Sequence, residues 1–266
     1  MDAIITAGGL NRADDPLYEL TGVEKKALIP LVGKPMINWV AEALHNSGLI
    51  ENIVIVGLQT DEVDFGQMPI HLINSAGGMI DNILAALAKV REISPNTKKV
   101  LLASSDIPLI KADIVRGFVA ECGDQSADVY YAVVEEKTME NRFPGSRRTF
   151  VPFKGGRYSG GDVFLADISV PDKADLDLFR GLTSSRKNYW EQARLLGFGF
   201  IIRFVLRQMT VAEAAQRGSQ ITNLAVRAID TKFAELGMDL DKPHQYEMIK
   251  SLLEQQQNQA NVGAAN

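Results

Sequence analysis

The chain has 266 residues, long enough for one substantial core without disulfide or metal staples. Hydrophobic residues make up 46% and charged residues 23%, with 22 Gly and 10 Pro, which excludes collagen-like and low-complexity classes. Lys and Arg total 28 against 33 for Asp and Glu, so the net charge of −5 lacks the footprint of a nucleic-acid binder. The single Cys122 excludes an internal disulfide framework and cysteine-rich zinc sites. His45, His71 and His244 form no HExxH pattern and read, like Cys122, as structural or surface residues. The start of the chain has no basic stretch before its apolar run, so no secretory signal is expected, and the expected location is cytoplasmic. The longest apolar run, residues 197–206, is too short to span a bilayer and is interrupted by Arg203. It is expected in the core or an oligomer interface, with no membrane partner.

In chain order, residues 3–6 read as a buried strand entering Ala7-Gly8-Gly9. Residues 35–47 read as a helix with Pro35 in its first turn. Strands are expected at 53–56 and 70–73, then a helix at 79–90 with Ile80, Ile83, Leu84, Leu87 and Val90 at helical spacing. A buried strand at 100–103 stops at Ser104-Ser105-Asp106-Ile107-Pro108. A helix at 111–119 and a strand at 129–134 follow. Continuous apolar strands alternating with helices predict a mostly parallel, Rossmann-like α/β sheet covered on both faces. Residues 142–161, rich in Arg, Lys and Gly, break that rhythm. A strand at 162–166, mainly helix over 174–218, a strand at 223–229 and a last helix at 243–253 complete the pattern. The reading is one domain over 1–253: a nucleotide-binding half (1–134), a less regular acceptor-side insertion (135–235), and a metal-ligand turn with the last helix (236–253). The polar tail 254–266 is expected to fray.

Familiar phosphate and hydrolase motifs are absent. Gly33-Lys34 is followed by Pro35, not the Ser or Thr of a Walker A loop. The first strand does not lead into GxGxxG. Ser159 has Arg157 where a nucleophile elbow needs Gly. The strand followed by Gly8-Gly9 still allows close backbone approach to phosphate, with Arg12 and Lys26 downstream as cations.

Taken together, Ala7-Gly8-Gly9, Arg12 and the run from Lys26 through Gly33-Lys34-Pro35-Met36 resemble the N-terminal signature of the MobA-like NTP transferases. Three further segments fit that resemblance: the strand ending in Asp106 before Pro108, Ala76-Gly77-Gly78-Met79 before a helix, and Asp239-Leu240-Asp241-Lys242-Pro243 before the last helix. The family differs in having, among sugar-phosphate members, a second Gly where this chain has Leu10. The stretch from Arg12 to Lys26 is long, and 135–230 matches no subfamily.

The resemblance implies a GT-A (nucleotide-diphospho-sugar transferase) type fold and transfer of a nucleotidyl group from an NTP with release of pyrophosphate. It implies that Ala7, Gly8 and Gly9 hold phosphates. Gly77, Gly78 and Asn82 would meet the base, and Arg12 and Lys26 would serve catalysis. Asp106 and Asp241 would share a Mg²⁺. Lys25 competes with Lys26, and Asp239 with Asp241, for these roles. The chain offers no obvious catalytic His, which favours a phosphorylated small-molecule acceptor already ionised at neutral pH. Arg142, Arg147, Arg148, Lys154 and Arg157, around Gly145, Gly155 and Gly156, form a basic cluster suited to such a phosphate. Within the 135–235 insertion, Arg147, Arg148, Arg157, Gly160 and Gly161 are the acceptor-binding candidates. The alternatives are a non-catalytic nucleotide-binding or regulatory module, and a glycosyltransferase using a nucleotide sugar. The latter usually needs Asp-x-Asp, where this chain has Ser104 and Pro108 around Asp106.

Overall fold

A computed structural model describes residues 1–184 and 208–264. The strands of its main sheet are β1 (Asp2–Thr6), β4 (Ile53–Val56), β5 (Ile70–Ile73), β6 (Lys99–Ser104), β7 (Val129–Glu135), β8 (Val151–Phe153), β9 (Gly156–Asp167) and β10 (Val226–Asp230). Their spatial order is β10-β7-β9-β6-β1-β4-β5, with β8 hydrogen-bonded to β9. A two-stranded ribbon, β2 (Pro30–Leu31) with β3 (Lys34–Pro35), stands apart. β1 pairs in parallel with β4 and β6, as do β4 with β5 and β7 with β10. β9 runs antiparallel between β6 and β7. The result is the expected mostly parallel α/β sheet with helices on both faces.

The alternation along β1 shows how the two faces are filled. Ala3 and Ile5 pack with Ile37, Val40 and Leu44 of α2 (Met36–Asn46) and with Val115 and Phe118 of α4 (Ala112–Glu121). Ile4, between them, packs with Ala86, Leu87 and Val90 of α3 (Met79–Ile93). Strands buried on both sides need apolar residues at every position, which is why these segments are continuous runs. A third cluster joins Leu17 of α1 (Pro16–Thr21), Leu31, Met36, Leu240 and Ile249, and so fixes the C-terminal segment beneath the ribbon.

The structure departs from the sequence pattern in four places. α1 lies in the long stretch between Arg12 and Lys26; Asp15 caps it by accepting from the Leu17 amide at 2.8 Å. Six residues are too few to show a period. The insertion read as irregular contains α5 (Glu136–Arg142), β8 and the first half of β9. Glycines there masked a strand that needs them. A Cβ on Gly160 would lie 1.9 Å from the Tyr131 hydroxyl, and one on Gly161 would lie 2.8 Å from the Ala132 Cβ. Where mainly helix was expected over 174–218, a further short helix, α6 (Val170–Lys173), precedes that range. α7 (Leu176–Ser184) and α8 (Val211–Thr222) are helical as expected, and the remaining departure is the extension of α8 beyond 218. Residues 185–207, including the apolar run 197–206, lie outside the described residues. The tail expected to fray continues as α9 (Pro243–Ala264). Among the described residues no helix is long and apolar enough to cross a membrane.

One glycine packs the Gly8–Gly9 loop closely against the sheet. Gly57, just past β4, has φ +109°, and a Cβ there would lie 2.6 Å from the Gly8 nitrogen. Gly57→Ala is expected to cost about 3 kcal/mol or more, from overpacking added to backbone strain. Gly66→Ala, with φ +62° but open space around it, is expected to cost about 1 kcal/mol. Urea denaturation of both variants checks this; equal midpoints would refute the steric account.

Candidate functional site

β6 ends at Ser104, and Asp106 follows at the carboxyl end of the sheet, where open α/β folds place ligands. The Ser104 hydroxyl donates to Asp106. The amide of Leu240 donates to the Asp106 carbonyl at 2.9 Å, drawing the C-terminal turn to the same spot. Lys26 opens a single 3₁₀ turn, Lys26–Leu28, and its amide donates to the Gly9 carbonyl at 3.1 Å. From there its ammonium donates to Asp106 Oδ2 at 2.6 Å and also to Asp241. Burial opposes the Lys26 charge, but Asp106 and Asp241 outweigh it and hold its pKa above the usual lysine value. Lys25 pairs instead with Glu62. The structure therefore gathers Lys26, not Lys25, with Asp106.

Both aspartates of the C-terminal turn come to the site. Carboxylate oxygens of Asp106, Asp239 and Asp241 lie within 4.8 Å of one another. Asp239 is buried and paired with Arg148, whereas Asp241 is half exposed. Sequence reasoning missed a fourth carboxylate, Asp162 on β9. Its Oδ2 is buried and has no hydrogen-bond partner. Burial first, then the charge of Asp106, push its pKa up to about 7 against the pull of Arg148. Nothing local marks Asp162; only the antiparallel placement of β9 beside β6 brings it to Asp106. An all-carboxylate donor set with an orphaned buried oxygen beside it fits a hard divalent cation such as Mg²⁺.

The glycine loop and the segment before α3 are built against each other. Ala7 extends the β1–β4 ladder through its amide to the Val56 carbonyl at 2.9 Å. Asn82 is buried, and its Oδ1 accepts from the Ala76 amide at 2.6 Å and the Ser75 hydroxyl at 3.1 Å. Its Nδ2 lies so near Gly8 that a Cβ there would sit 3.2 Å away. Asn82 thus bonds to the Ser75–Ala76 segment that leads into the Gly77–Gly78 turn and packs against Gly8. Gly77 has φ +110°, and Gly78 is the last residue before α3. Arg12 is exposed on the loop after β1.

The basic cluster divides. Arg148 joins the aspartates, and Arg147 is exposed with φ +52°. Together with Asp239, Asp241, Lys242 and Gln245 they line a cleft of about 300 Å³. Arg157 pairs with Glu136 at 3.0 Å, and Arg142 with Glu235 at 2.8 Å. Gly160 and Gly161 lie in β9 directly before Asp162 and are close-packed against Tyr131 and Ala132.

A parallel sheet with a glycine loop after β1 and carboxylates beyond a central strand defines a nucleotidyltransferase-type domain. The family model of the MobA-like NTP transferase domain matches residues 3–168, and the chain belongs to that family. A hypothetical transferase from Thermus thermophilus is 32% identical with a TM-score of 0.79, covering 92% of this chain and 98% of that one. The bifunctional protein GlmU of Caldanaerobacter subterraneus subsp. tengcongensis is 29% identical over 125 residues, 44% of this chain. That match spans 24% of the GlmU protein. A CMP:2-keto-3-deoxy-manno-octonic acid synthetase in complex with CTP shares the fold at 14% identity and a TM-score of 0.57, covering 96% and 98% of the two chains.

The raised pKa of Asp162 makes stability depend on pH. Between about pH 4 and 7 the folded protein retains a proton that the unfolded chain has released. Stability therefore falls as pH rises through that window. Asp162→Asn is expected to match the wild type at about pH 4, to pull ahead as pH rises, and to melt several degrees higher at pH 8 in metal-free buffer, at about 2–4 °C per kcal/mol. Thermal melts across that range check it; a difference independent of pH would refute the assignment.

Proposed function

We propose that this domain transfers a nucleoside monophosphate from an NTP to a phosphorylated small-molecule acceptor and releases pyrophosphate. The observation that carries this reading is the convergence of Asp106, Asp239 and Asp241 with Lys26 beside the Gly8–Gly9 loop. The family supports the reaction class. The CTP held by the CMP:2-keto-3-deoxy-manno-octonic acid synthetase of the same fold supports an NTP as donor.

In this reading an oxygen of the acceptor phosphate attacks the α-phosphorus. The bond from the α-phosphorus to the bridging oxygen breaks, and the electron pair leaves with pyrophosphate. The Gly8–Gly9 backbone approaches the phosphates closely, because side chains there would obstruct them. Lys26 would offset the negative charge that grows on the leaving group, and Arg12, exposed on the loop after β1, would add a second cation. Asp106 and Asp241 would hold Mg²⁺, which when bound neutralises phosphate charge and orients the donor. Asn82, bonded to the segment before the Gly77–Gly78 turn and packed against Gly8, would border the base together with those two glycines. The cleft bordered by Arg147 and Lys242 receives the acceptor phosphate.

A thermal-shift panel with ATP, GTP, CTP and UTP, each with and without Mg²⁺, is expected to give a Mg²⁺-dependent rise with at least one nucleotide. Saturation at a hundred times Kd stabilises by about 2.7 kcal/mol. No shift with any of the four would count against the donor class. With the donor known, pyrophosphate release should fall about 10²–10³-fold in Lys26→Ala but stay within a few-fold in Lys25→Ala. The reverse order would move the role to Lys25. Asp106→Ala should abolish Mg²⁺-dependent turnover in a protein that still melts cooperatively; retained turnover would remove Asp106 from the metal site.

A further inference from the structure

Beside the polar site lies a cavity of about 280 Å³ whose described lining is entirely apolar. Met79 and Ile83 of α3 form one wall, Leu102 and Phe164 of the sheet the floor, and Ala174 and Phe179 the outer wall. Ion pairs hold that outer wall in place: Arg180 with Asp81 at 3.0 Å, and Arg91 with Asp172. A dry cavity of roughly 150 Å³ already accommodates benzene, so this one has space for a ring or a short chain.

Its position relates it to the candidate site. Along β9, Asp162 and Phe164 are two residues apart and share a face, while Gly161, Val163 and Leu165 turn to the opposite face. On the neighbouring strand Leu102 pairs with Phe164, and Ser104, two residues on, donates to Asp106. Two residues of strand span about 7 Å. Met79 directly follows Gly77–Gly78. Phe164 is 36% exposed and stacked on Tyr131 at 4.7 Å between ring centroids. The carboxylates and the apolar cavity are thus consecutive steps on one face of the sheet.

Resting on the nucleotidyl-transfer reading, we infer that the acceptor is amphipathic: it carries a hydrocarbon or ring portion that enters this cavity while its phosphate lies in the neighbouring cleft that Arg148, Asp241 and Lys242 border. Phe164 and its stacked partner Tyr131 form the step between the two, and the depth of the cavity sets the length of hydrocarbon accepted. A polar acceptor of the same head group would leave the cavity empty and forgo that burial.

The test compares methyl phosphate with hexyl phosphate by calorimetric titration of the full-length protein. Each buried methylene is worth about a fourfold gain in affinity. Hexyl phosphate is therefore expected to bind at least tenfold more tightly than methyl phosphate in the wild type. Ile83→Trp and Ala174→Phe, which fill the cavity from opposite walls, should each remove that advantage and leave the Mg²⁺–NTP thermal shift intact. Using two walls keeps the result readable if one variant fails to fold. Equal affinity for the two phosphates in the wild type would overturn the inference, as would an advantage that survives filling, even where an NTP still binds. A hexyl advantage that filling removes, in a protein that no NTP stabilises, would support the cavity as a hydrocarbon site and refute the nucleotidyl-transfer reading.

Discussion

The ammonium of Lys26 sits between two carboxylates that the chain brings from far apart. Asp106 is 80 residues away in sequence and Asp241 is 215. Three carboxylates within 4.8 Å repel strongly at low dielectric, so the fold cannot assemble them without cations in place. Lys26 supplies one and Arg148 the other. The positions of both depend on the surrounding backbone: Lys26 hangs from the Gly9 carbonyl, and the Asp239–Asp241 turn hangs from Asp106 through Leu240. The third hydrophobic cluster, which seats Leu240 and Ile249 against Leu31 and Met36, is what makes that C-terminal arrangement rigid. The ion pairs give the site its charge balance, and the packing gives it its geometry.

Asp162 is the carboxylate that this balance leaves over. Two cations face four acids, and burial disfavours a fourth charge, so Asp162 holds its proton well above the usual carboxylate range. A divalent cation arriving at Asp106 and Asp241 would change the local field sign and favour ionisation.

Much of this was legible in the sequence, for reasons that are local. β4 and β5 appear at the boundaries read from their apolar runs: β4 is buried along its whole length and carries only Ile and Val, while the half-buried edge strand β5 accommodates His71 among its Ile and Leu residues. The glycine loop and Asp106 stood out because each follows the end of such a strand, whereas Lys26 and the Asp239–Asp241 turn stood out through the family resemblance. The choice between Lys25 and Lys26 was not legible: Lys25 is the extended residue before the 3₁₀ turn that Lys26 opens, and only Glu62 and Asp106 in space separate the two. Asp162 was hidden differently. Its strand begins with glycines that ordinarily signal a loop, yet here they make room for Tyr131 and Ala132. Gly57 gave no signal, since its partner, the Gly8 backbone, lies on another strand. The polar tail misled because composition reports solvent exposure better than it reports helicity.

The insertion rich in Arg and Lys is less a phosphate magnet than its composition suggests. Arg142, Arg148 and Arg157 each have an acidic partner. Paired guanidiniums attract a further anion only weakly, because their partners' charge cancels most of the field beyond a few ångströms. What the insertion contributes instead is β9, an antiparallel strand wedged between β6 and β7 that brings Gly160, Asp162 and Phe164 to one face of the sheet. Its alternate residues, Gly161, Val163 and Leu165, bury into the core and fix the register. A one-residue slip would turn Asp162 into that core and Val163 into the site, at a cost the sheet cannot meet. The insertion's firmest contribution is therefore a strand held in register that presents a bare glycine, a carboxyl and an aromatic ring at alternate positions on one face.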